Sequence, residues 1–216
     1  MSDLTGWRVL VTAGGTREPI DPVRYIGNRS SGKMGNAIAM DAAERGAIVT
    51  LVTTMAPPDL EGEIIRVETA AEMAEAVWSR VSQQAVVVMA AAVADFRPAQ
   101  THTTKLARAD GPPLIVLEPA PDILAGVVER SQGSFVVGFA AETGSLDRAV
   151  AKARSKGVDL LIANDVLADG SGFGTSTNQV TVVMPDGTID PWPLVSKAEV
   201  ASRLWDLVAD LRSPPG

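Results

Sequence analysis

An asparagine and a run of small polar residues lie together near the N-terminus, at 28–33 (NRSSGK). Small residues at the start of a helix leave backbone N–H groups free, and with the helix dipole these groups favour a bound anion. Ser30 or Ser31 could equally be only an N-cap. The stretch from Gly27 to Lys33 also spells G-x-x-x-x-G-K, but Met34 stands where a P-loop needs Ser or Thr, and a long loop precedes it. The pattern therefore predicts an anion site that is not a P-loop.

Two further segments place small or acidic residues where a ligand could bind. Gly14 and Gly15 follow an apolar run, and glycine lets a backbone approach a ligand closely, although a tight strand exit explains the pair equally well. The row from Ala90 to Asp95 (AAAVAD) would let a flat group, such as a base, lie against the backbone. Tight packing of a helix on a strand is the competing explanation. Asp95 itself could bind a sugar hydroxyl, approach Mg²⁺ or cap a helix.

Basic residues of the segment 98–119 suggest contact with phosphates. Lys105 and Arg108 lie in this irregular stretch, which fits neither a helix nor a strand pattern and is predicted to form an arm or flap. Two cations on such an arm would suit a polyphosphate, whereas a solvated basic loop is the commoner explanation. His102, the single histidine, lies in the same segment and is expected to be exposed and non-catalytic.

Composition excludes several classes of function. The 216 residues include no cysteine and one histidine, so disulfides, thiolate nucleophiles and Cys-type or His-rich metal sites are excluded. A net charge of −7 disfavours nucleic acid as a partner, because that partner needs a basic surface. No apolar run reaches the roughly 18–20 residues that span a bilayer, and no signal-peptide pattern is present. We therefore expect a cytoplasmic protein without a membrane partner, folded as a single domain over residues 1–216.

Strands and helices that alternate along the chain must position these residues. Apolar runs predict buried strands, and apolar residues at helical spacing predict helices. In chain order the patterns predict a strand at 7–12, a helix from Ser30 or Ser31 capped by Gly46, a strand at 48–53, a helix at 71–81, a strand at 86–91, a helix at 123–130, a strand at 135–139, a helix at 145–156, a strand at 159–163, a hairpin at 179–190 and a helix at 197–211. This order predicts an α/β fold, a three-layer Rossmann-like open parallel sheet with helices on both faces, plus a small hairpin and arm extension.

The carboxyl ends of the predicted parallel strands should meet in one crevice, where such sheets bind their ligands. These ends are 13–15, 91–95, 139–142 and 164–165, and each is rich in glycine, small or polar residues. A dinucleotide is a poor fit, since no G-x-G-x-x-G follows the first strand. Thr53 and Thr54 also stand where an NAD ribose needs an acidic residue.

Five segments together resemble the phosphopantothenate–cysteine ligase family, which in many bacteria forms the C-terminal half of a bifunctional coenzyme A biosynthesis protein. They are 11–35 (VTAGGTREPIDPVRYIGNRSSGKMG), 90–98 (AAAVADFRP), 119–124 (PAPDIL), 136–143 (VVGFAAET) and 159–166 (DLLIANDV). They span nearly the whole chain in the family's order, and the first is long and specific. The resemblance implies a flavin-dependent decarboxylase domain upstream in the native protein.

The resemblance also implies a reaction. CTP and 4′-phosphopantothenate would give an acyl-cytidylate and pyrophosphate, and the amine of L-cysteine would then attack the activated acyl carbon. Mg²⁺ is the expected metal and a homodimer the expected assembly, with the arm and the hairpin as dimer elements. Two alternatives remain: a non-catalytic nucleotide-binding regulatory domain and an NAD(P)-dependent Rossmann oxidoreductase.

Site residues follow from the same resemblance. Asn28, Lys105 and Arg24 are the implied catalytic residues; Asn28 would donate to the acyl oxygen, and Lys105 would act on the phosphates or the acyl intermediate. The predicted nucleotide contacts, which include the glycines and serines discussed above, are Gly14, Gly15, Ser30, Ser31, Gly32, Met89, Ala90, Ala91, Asp95, Pro121, Asp122, Ile123, Leu124, Phe139, Lys152 and Lys156. No metal ligand is assigned.

The arm departs from the family pattern. The family often reads Lys-x-Lys-Lys there, whereas this chain reads Lys105-Leu106-Ala107-Arg108. The first lysine is kept, the second position is alanine and the third is arginine. Lys105 therefore keeps its implied role, while the number of cations on the arm is lower.

Overall fold

Continuously apolar segments become the central strands of the protein. The computed structural model describes residues 1–142, 151, 155–165, 170, 172 and 174–212. The strands in this part of the chain are β1 (Arg8–Ala13), β2 (Arg17–Pro19), β3 (Tyr25–Gly27), β4 (Ile48–Thr53), β5 (Glu63–Arg66), β6 (Val86–Met89), β7 (Phe96–Pro98), β8 (Leu117–Pro119), β9 (Phe135–Glu142), β10 (Leu160–Asp165), β11 (Thr177–Asn178), β12 (Val180–Val183), β13 (Ile189–Pro191) and β14 (Val195–Ser196). The helices with full bounds are α1 (Lys33–Glu44), α2 (Ala70–Trp78), α3 (Ile123–Arg130) and α4 (Lys197–Arg212), with 3₁₀ turns at Val81–Gln83 and Arg108–Asp110.

Eight strands form the main sheet, in the order β13-β12-β10-β9-β6-β1-β4-β5. The strands from β10 to β5 are parallel to their neighbours, while β12 and β13 are antiparallel at one edge. The chain starts at β1, continues to β4 and β5 on one side, and then crosses to β6, β9 and β10 on the other. The strand order therefore reverses between β1 and β6, which is where open α/β sheets bind ligands.

Helices cover both faces of this sheet and divide the core in two. One cluster joins β1, β4, β6 and β10 to α1 and α4, and it includes Ile38, Leu204 and Trp205, all fully buried. The other joins the opposite faces of the strands to α2 and α3. Burial of each leucine-sized side chain contributes about 1.5–3 kcal/mol, and the indole N–H of Trp205 donates to the carbonyl of Ile38 at 2.9 Å. The three-layer expectation is confirmed.

Most predicted elements occur close to their expected bounds. The strand at 48–53 and the helix at 123–130 match to the residue, and Gly46 follows α1 in a left-handed conformation. The helix expected from Ser30 or Ser31 begins later, at Lys33, because Gly32 is its N-cap. The helix expected at 145–156 falls largely outside the described residues.

The predicted hairpin at 179–190 is present but does not stand apart from the sheet. Its strands β12 and β13 pair with each other, and β12 pairs antiparallel with β10. Among the described residues, three smaller ribbons were missed by the sequence patterns: β2–β3, β7–β8 and β11–β14. Their strands are two or three residues long, too short for a period-2 pattern to be seen.

The predicted arm at 98–119 lies outside the main sheet. Its two ends are joined by the β7–β8 ribbon, and its interior contains one 3₁₀ turn. It contacts the body of the protein near the end of β2, where the amide of His102 donates to the carbonyl of Ile20 at 2.9 Å. Within the described residues, each helix is too short or too polar to cross a bilayer.

Candidate active site

A cavity of about 700 Å³ opens at the carboxyl ends of β6, β9 and β10. It borders the place where the strand order reverses, so the crevice expected from the strand ends exists. Its walls come from the loop after β6, the start of α1, the start of α3 and β9. The lining residues are Asn28, Arg29, Ser30, Ser31, Gly32, Lys33, Met34, Gly35, Met89, Ala90, Ala91, Ala92, Val93, Ala94, Asp95, Pro121, Asp122, Ile123, Leu124, Phe139, Ala140, Ala141, Lys156, Asn164, Gly172, Asn178 and Lys197.

The alanine row after β6 is bonded along its length to the exit of β1. The amide of Ala91 donates to Oγ1 of Thr12 at 3.1 Å, and the amide of Ala94 donates to Oγ1 of Thr16 at 2.9 Å. Between them, the amide of Ala92 donates to the carbonyl of Gly14 at 2.8 Å. Both threonines are fully buried. They hold a flat backbone surface in place, and sequence reasoning missed them because Thr12 passes for a strand residue in an apolar run and Thr16 for a loop residue.

Asn28 connects the segment 28–33 to the same row. Its Nδ2 donates to the carbonyl of Val93 at 2.8 Å, and its side chain remains exposed at the cavity. Since an amide nitrogen carries two protons, one N–H is left for a ligand. Gly15 makes this arrangement possible, because a Cβ there would lie 2.4 Å from the carbonyl oxygen of Asn28.

The two predicted glycines after β1 thus do not line the cavity. Gly14 and Gly15 contact the protein itself, and the atoms nearest to an added Cβ belong to Thr54 and Asn28 respectively. A direct contact of either glycine with a nucleotide stays a prediction. In the structure, Gly14 and Gly15 allow the close backbone packing that positions the cavity wall.

The start of α1 faces the cavity without a side-chain cap. Gly32 is the N-cap, no side chain accepts from the first turn, and the first turn contains no acidic residue. Ser30 and Ser31 line the cavity instead of capping the helix, and Oγ of Ser30 accepts only a long bond from the amide of Gly32, at 3.4 Å. Free N–H groups at a helix start attract an anion.

The other wall comes from α3 and β9. Asp122 is the N-cap of α3, where its Oδ1 accepts from the amide of Ala125 at 3.0 Å. Its second oxygen forms an ion pair with Lys156. Phe139 is half-buried in β9, and Pro121, Ile123 and Leu124 complete an apolar patch. Lys152, the other predicted lysine, lies outside the described residues.

Asp95 lies at the end of the alanine row, exposed and on the cavity surface. Its backbone carbonyl accepts from the amide of Ala120 at 2.9 Å, which ties the row to the strand leading into α3. Among the described residues, no group of three or more acidic or histidine side chains could hold a metal ion. A divalent cation here would need most of its ligands from a substrate and water.

Arg24 and Lys105, predicted to act with Asn28, line a separate hollow of about 790 Å³ with Leu106, Ala107 and Arg108. Arg24 donates to the buried carboxylate of Asp21 through Nε at 2.9 Å, and to the carbonyl of Leu106 at 2.8 Å. The amide of Leu106 donates to the same carboxylate at 3.2 Å. The Arg24 guanidinium holds the pKa of Asp21 well below its usual range. The structure therefore separates the three predicted catalytic residues into two places within one chain.

Several cavity residues were not predicted as site residues: Lys33, Asn164, Asn178 and Lys197. Lys33 and Asn164 lie within segments that sequence reasoning did single out, 28–33 and 159–166. Asn178 and Lys197 lie in β11 and at the start of α4, where no local pattern distinguishes them from a loop residue and a solvated helix end.

The sequence matches a family model and several curated proteins. The family model described as DNA/pantothenate metabolism flavoprotein C-terminal domain matches residues 4–211. The coenzyme A biosynthesis bifunctional protein CoaBC of Mycobacterium tuberculosis is 48% identical over 221 residues, which cover 95% of this chain and 53% of that protein. The protein of the same name in Bacillus subtilis is 41% identical over 217 residues, covering 99% of this chain and 53% of that protein. The chain thus spans about half the length of the curated relatives it matches.

Solved structures agree with this similarity. The crystal structure of the C-terminal domain of CoaBC has a TM-score of 0.80 at 41% identity, covering 96% of this chain and 98% of that one. A Cab2 variant in complex with phosphopantothenate-cysteine has a TM-score of 0.72 at 20% identity, covering 96% of this chain and 89% of that one. At that lower identity the likeness concerns the fold alone.

Proposed function

This chain belongs to the family of DNA/pantothenate metabolism flavoprotein C-terminal domains, and on that premise we propose that it is a CTP-dependent phosphopantothenate–cysteine ligase. The observation that carries the proposal is Asn28, held at 2.8 Å against the alanine row, at the mouth of a cavity at the strand-order reversal. A family relationship alone would support the fold. Support for the ligase reaction comes from three features that line one cavity: an amide donor, a flat backbone wall and a helix start without a side-chain cap.

The reaction has two steps. The carboxylate of 4′-phosphopantothenate attacks the α-phosphorus of CTP, the bond to the β-phosphate oxygen breaks, and pyrophosphate leaves. The amine of L-cysteine then attacks the acyl carbon of the acyl-cytidylate, loses a proton, and expels CMP as the amide forms. A free carboxylate is a poor electrophile at neutral pH, and its nucleotidylation supplies the leaving group that the second step needs.

The cavity offers a place for each part of the nucleotide. The base would lie on the backbone of Ala90 and Ala91, with Phe139 as its apolar wall. The phosphates would lie at Ser30, Ser31 and Gly32, where N–H groups and the helix dipole favour negative charge. The remaining Nδ2 N–H of Asn28 would then donate to the acyl oxygen, where negative charge develops when the amine attacks the acyl carbon in the second step.

Mg²⁺ belongs to the proposal as the metal that neutralises charge on the phosphates. Of the carboxylates that line the cavity in the described part of the chain, Asp95 and Asp122 could hold it. Asp122 is already paired with Lys156, so Asp95 is the better ligand. Mg²⁺ commonly binds through one or two carboxylates plus substrate phosphates and water, which fits this donor set.

A homodimer would bring the separated residues together. Arg24 and Lys105 lie in a hollow apart from the cavity of Asn28, so their predicted roles are met if they complete the site of a second copy. The arm also exposes apolar side chains that such a contact would bury: Leu114 is 89% exposed, Val116 62% and Leu117 45%. Isolated exposed apolar residues are common, but a cluster is typical of an interface.

The proposal also covers the context of the chain. The curated relatives are longer proteins named bifunctional, so we expect a flavin-dependent decarboxylase domain upstream. Phosphopantothenate, cysteine and CTP are the proposed small-molecule partners, and the cytoplasm is the proposed location.

Pyrophosphate release tests the proposal. Purified protein is incubated with Mg²⁺ and phosphopantothenate, with CTP or ATP, and with or without cysteine. We expect release that requires phosphopantothenate and prefers CTP, and formation of the cysteine amide only when cysteine is present. Protein that binds CTP without releasing pyrophosphate would instead be a regulatory nucleotide-binding domain. Oxidation of NADPH on addition of a carbonyl substrate would indicate the oxidoreductase.

A further inference from the structure

One end of the cavity carries an unusual concentration of positive charge. Lys33 is the first residue of α1 and Lys197 the first residue of α4, and both line the cavity. Arg29 lines it as well. The whole chain has a net charge of −7, so the cations that line the cavity do not follow from average composition.

Lys197 is a buried ammonium group with neutral neighbours. The residue is 7% exposed. Its Nζ donates to the carbonyl of Thr175 at 2.7 Å, to Oγ1 of Thr175 at 3.2 Å and to the carbonyl of Gly172 at 3.1 Å. These three bonds use all three ammonium protons. They fasten the chain at Gly172 and Thr175 to the start of α4, beside the cavity.

Lys33 fastens the same stretch from the other helix. Its Nζ donates to the carbonyl of Gly174 at 2.7 Å, and the side chain is exposed. Burial lowers the pKa of Lys197, and the positive charge of Lys33 lowers it further. The two ammonium groups bond to the adjacent carbonyls of Gly174 and Thr175, so they lie near each other.

Neither lysine is balanced by a carboxylate in the described part of the chain. No ion pair joins either of them to a described Asp or Glu, whereas buried Arg45 pairs with Asp41 and with Asp206. A buried charge is costly without a counter-ion. The carboxylates that do line the cavity, Asp95 and Asp122, belong to the β6 loop and the start of α3.

We propose that Lys33 and Lys197, with the backbone at Gly172, Gly174 and Thr175 to which they bond, form a phosphate subsite at this end of the cavity. A bound phosphate supplies the missing negative charge, and Lys33 exchanges its exposed bond to Gly174 for a bond to a phosphate oxygen. Lys197 keeps its bonds and acts through its charge and through the loop it positions. The ligand is either the β- and γ-phosphates of the nucleotide or the phosphate monoester of the acid. The choice between these substrates rests on the proposed function, but the anion site itself does not.

Calorimetric titration of Lys33→Gln tests the subsite. The probes are inorganic triphosphate, CTP, CMP and phosphopantothenate, all at one salt concentration because phosphate affinity depends on salt. Loss of a charge-assisted bond should weaken binding of triphosphate and CTP by about tenfold and leave CMP unaffected. The matched control is Arg66→Gln, which removes the same charge from exposed β5, away from the cavity. A tenfold loss for phosphopantothenate in place of CTP would assign the subsite to the monoester.

Lys197→Met gives a second measurement. If circular dichroism shows that this variant is folded, it should weaken binding of the same anion that Lys33→Gln affects. If the variant does not fold, the result for Lys33→Gln decides alone. Unchanged affinity of folded Lys33→Gln for triphosphate, CTP and phosphopantothenate overturns the subsite. Failure of the ligase proposal would give a different result. Wild-type protein would then bind triphosphate but release no pyrophosphate, and Lys33→Gln would still weaken the binding of triphosphate.

Discussion

The loop after β6 and the arm at 98–119 both carry predicted site residues, but they are attached to the protein in different ways. The loop is bonded to β1 through buried Thr12 and Thr16 and through the backbone of Gly14. Each of these partners belongs to the central sheet or to its immediate exit. The cavity wall therefore has the rigidity of the core.

The arm depends on far fewer attachments. Its middle is held by the buried carboxylate of Asp21, which accepts from the amide of Leu106 while Arg24 bridges both. Near its start, the hydroxyl of Thr101 donates to the carbonyl of Pro19 and the amide of His102 to that of Ile20. Much of the rest is exposed. Elements with few buried contacts open at low cost.

The difference indicates a division of labour. The fold preorganises the residues that would bind the nucleotide, whereas the residues that would act from the arm can arrive with a second subunit or after the nucleotide has bound. Substitutions in the two regions should accordingly give different combinations of lost stability, lost binding and lost turnover.

The largest effect should come from Asn28→Asp in the rigid region. The carboxylate cannot donate to Val93, repels its carbonyl, and offers no proton to the acyl oxygen. We expect amide formation to fall by about 10²–10³, with CTP binding retained and the reaction stalled after activation. Gln132→Glu, an exposed change of the same charge, is the control. Normal amide formation by Asn28→Asp, measured by chromatography, would remove Asn28 from the mechanism.

Asp21→Asn should detach the arm with a smaller effect on turnover. A neutral amide holds the Arg24 guanidinium less well, so the arm residues lose their positions and amide formation falls by about 10–10². The midpoint of thermal unfolding should change little. Faster tryptic cleavage after Lys105 or Arg108 would reveal the release of the arm.

Glu118→Gln is the matched control for Asp21, since it breaks an exposed ion pair with Arg97 on the ribbon at the arm's base. Such pairs contribute little to stability.

The lowered pKa of Asp21 also determines how the attachment of the arm depends on pH. The contribution of the Asp21 carboxylate to this attachment is complete above the ordinary carboxyl pKa of about 4. It is lost only as the pH falls through the lower pKa of the folded protein. Arm cleavage that rises between pH 7 and pH 5 would contradict this attachment.

Gly15→Ala should affect stability and turnover together. The added Cβ would lie 2.4 Å from the carbonyl oxygen of Asn28, so the backbone must shift in a packed region, at a cost of about 1–3 kcal/mol. Chemical denaturation measures the loss of stability, and the same protein is assayed for amide formation. An unchanged free energy of unfolding for Gly15→Ala would mean that the backbone of the cavity wall shifts as easily as that of the arm.

The smallest effect is expected at Asp206, far from either region. Arg45 holds the pKa of Asp206 at about 2, so the ion pair stabilises the fold above pH 4 and is lost as the pH falls toward 2. Asp206 is 42% exposed, and Asp206→Asn should therefore cost at most about 1 kcal/mol at pH 7. The difference from wild type should vanish near pH 2 in thermal unfolding, with activity at pH 7 unchanged. Asp210→Asn on the same helix is the control.

Much of the cavity could be predicted without coordinates. The apolar run before Ala90 indicates a strand, the alanines after it indicate a close-packed exit, and parallel strands place such exits at one edge. Asn28 and the segment 28–33 were likewise singled out by residue type and by the family resemblance. These features depend on neighbours in the chain, which is why local patterns reveal them.

Other features depended on contacts between distant parts of the chain. Thr12 and Thr16 look like ordinary strand and loop residues until their hydroxyls accept bonds from the alanine row. Arg24 and Lys105 were predicted as catalytic residues together with Asn28, but only the structure shows that Asp21 holds Arg24 and the arm in a hollow separate from the cavity of Asn28.

The sequence by itself determined the order of strands and helices, the crevice at the strand ends and the residues of its central wall, because periodicity and small residues act locally. Only the tertiary structure decided that Lys197, at the start of the last helix, faces the cavity near Lys33. The physical reason is that helix packing brings α1 and α4 together on one face of the sheet, and no local pattern encodes which helix ends will meet there.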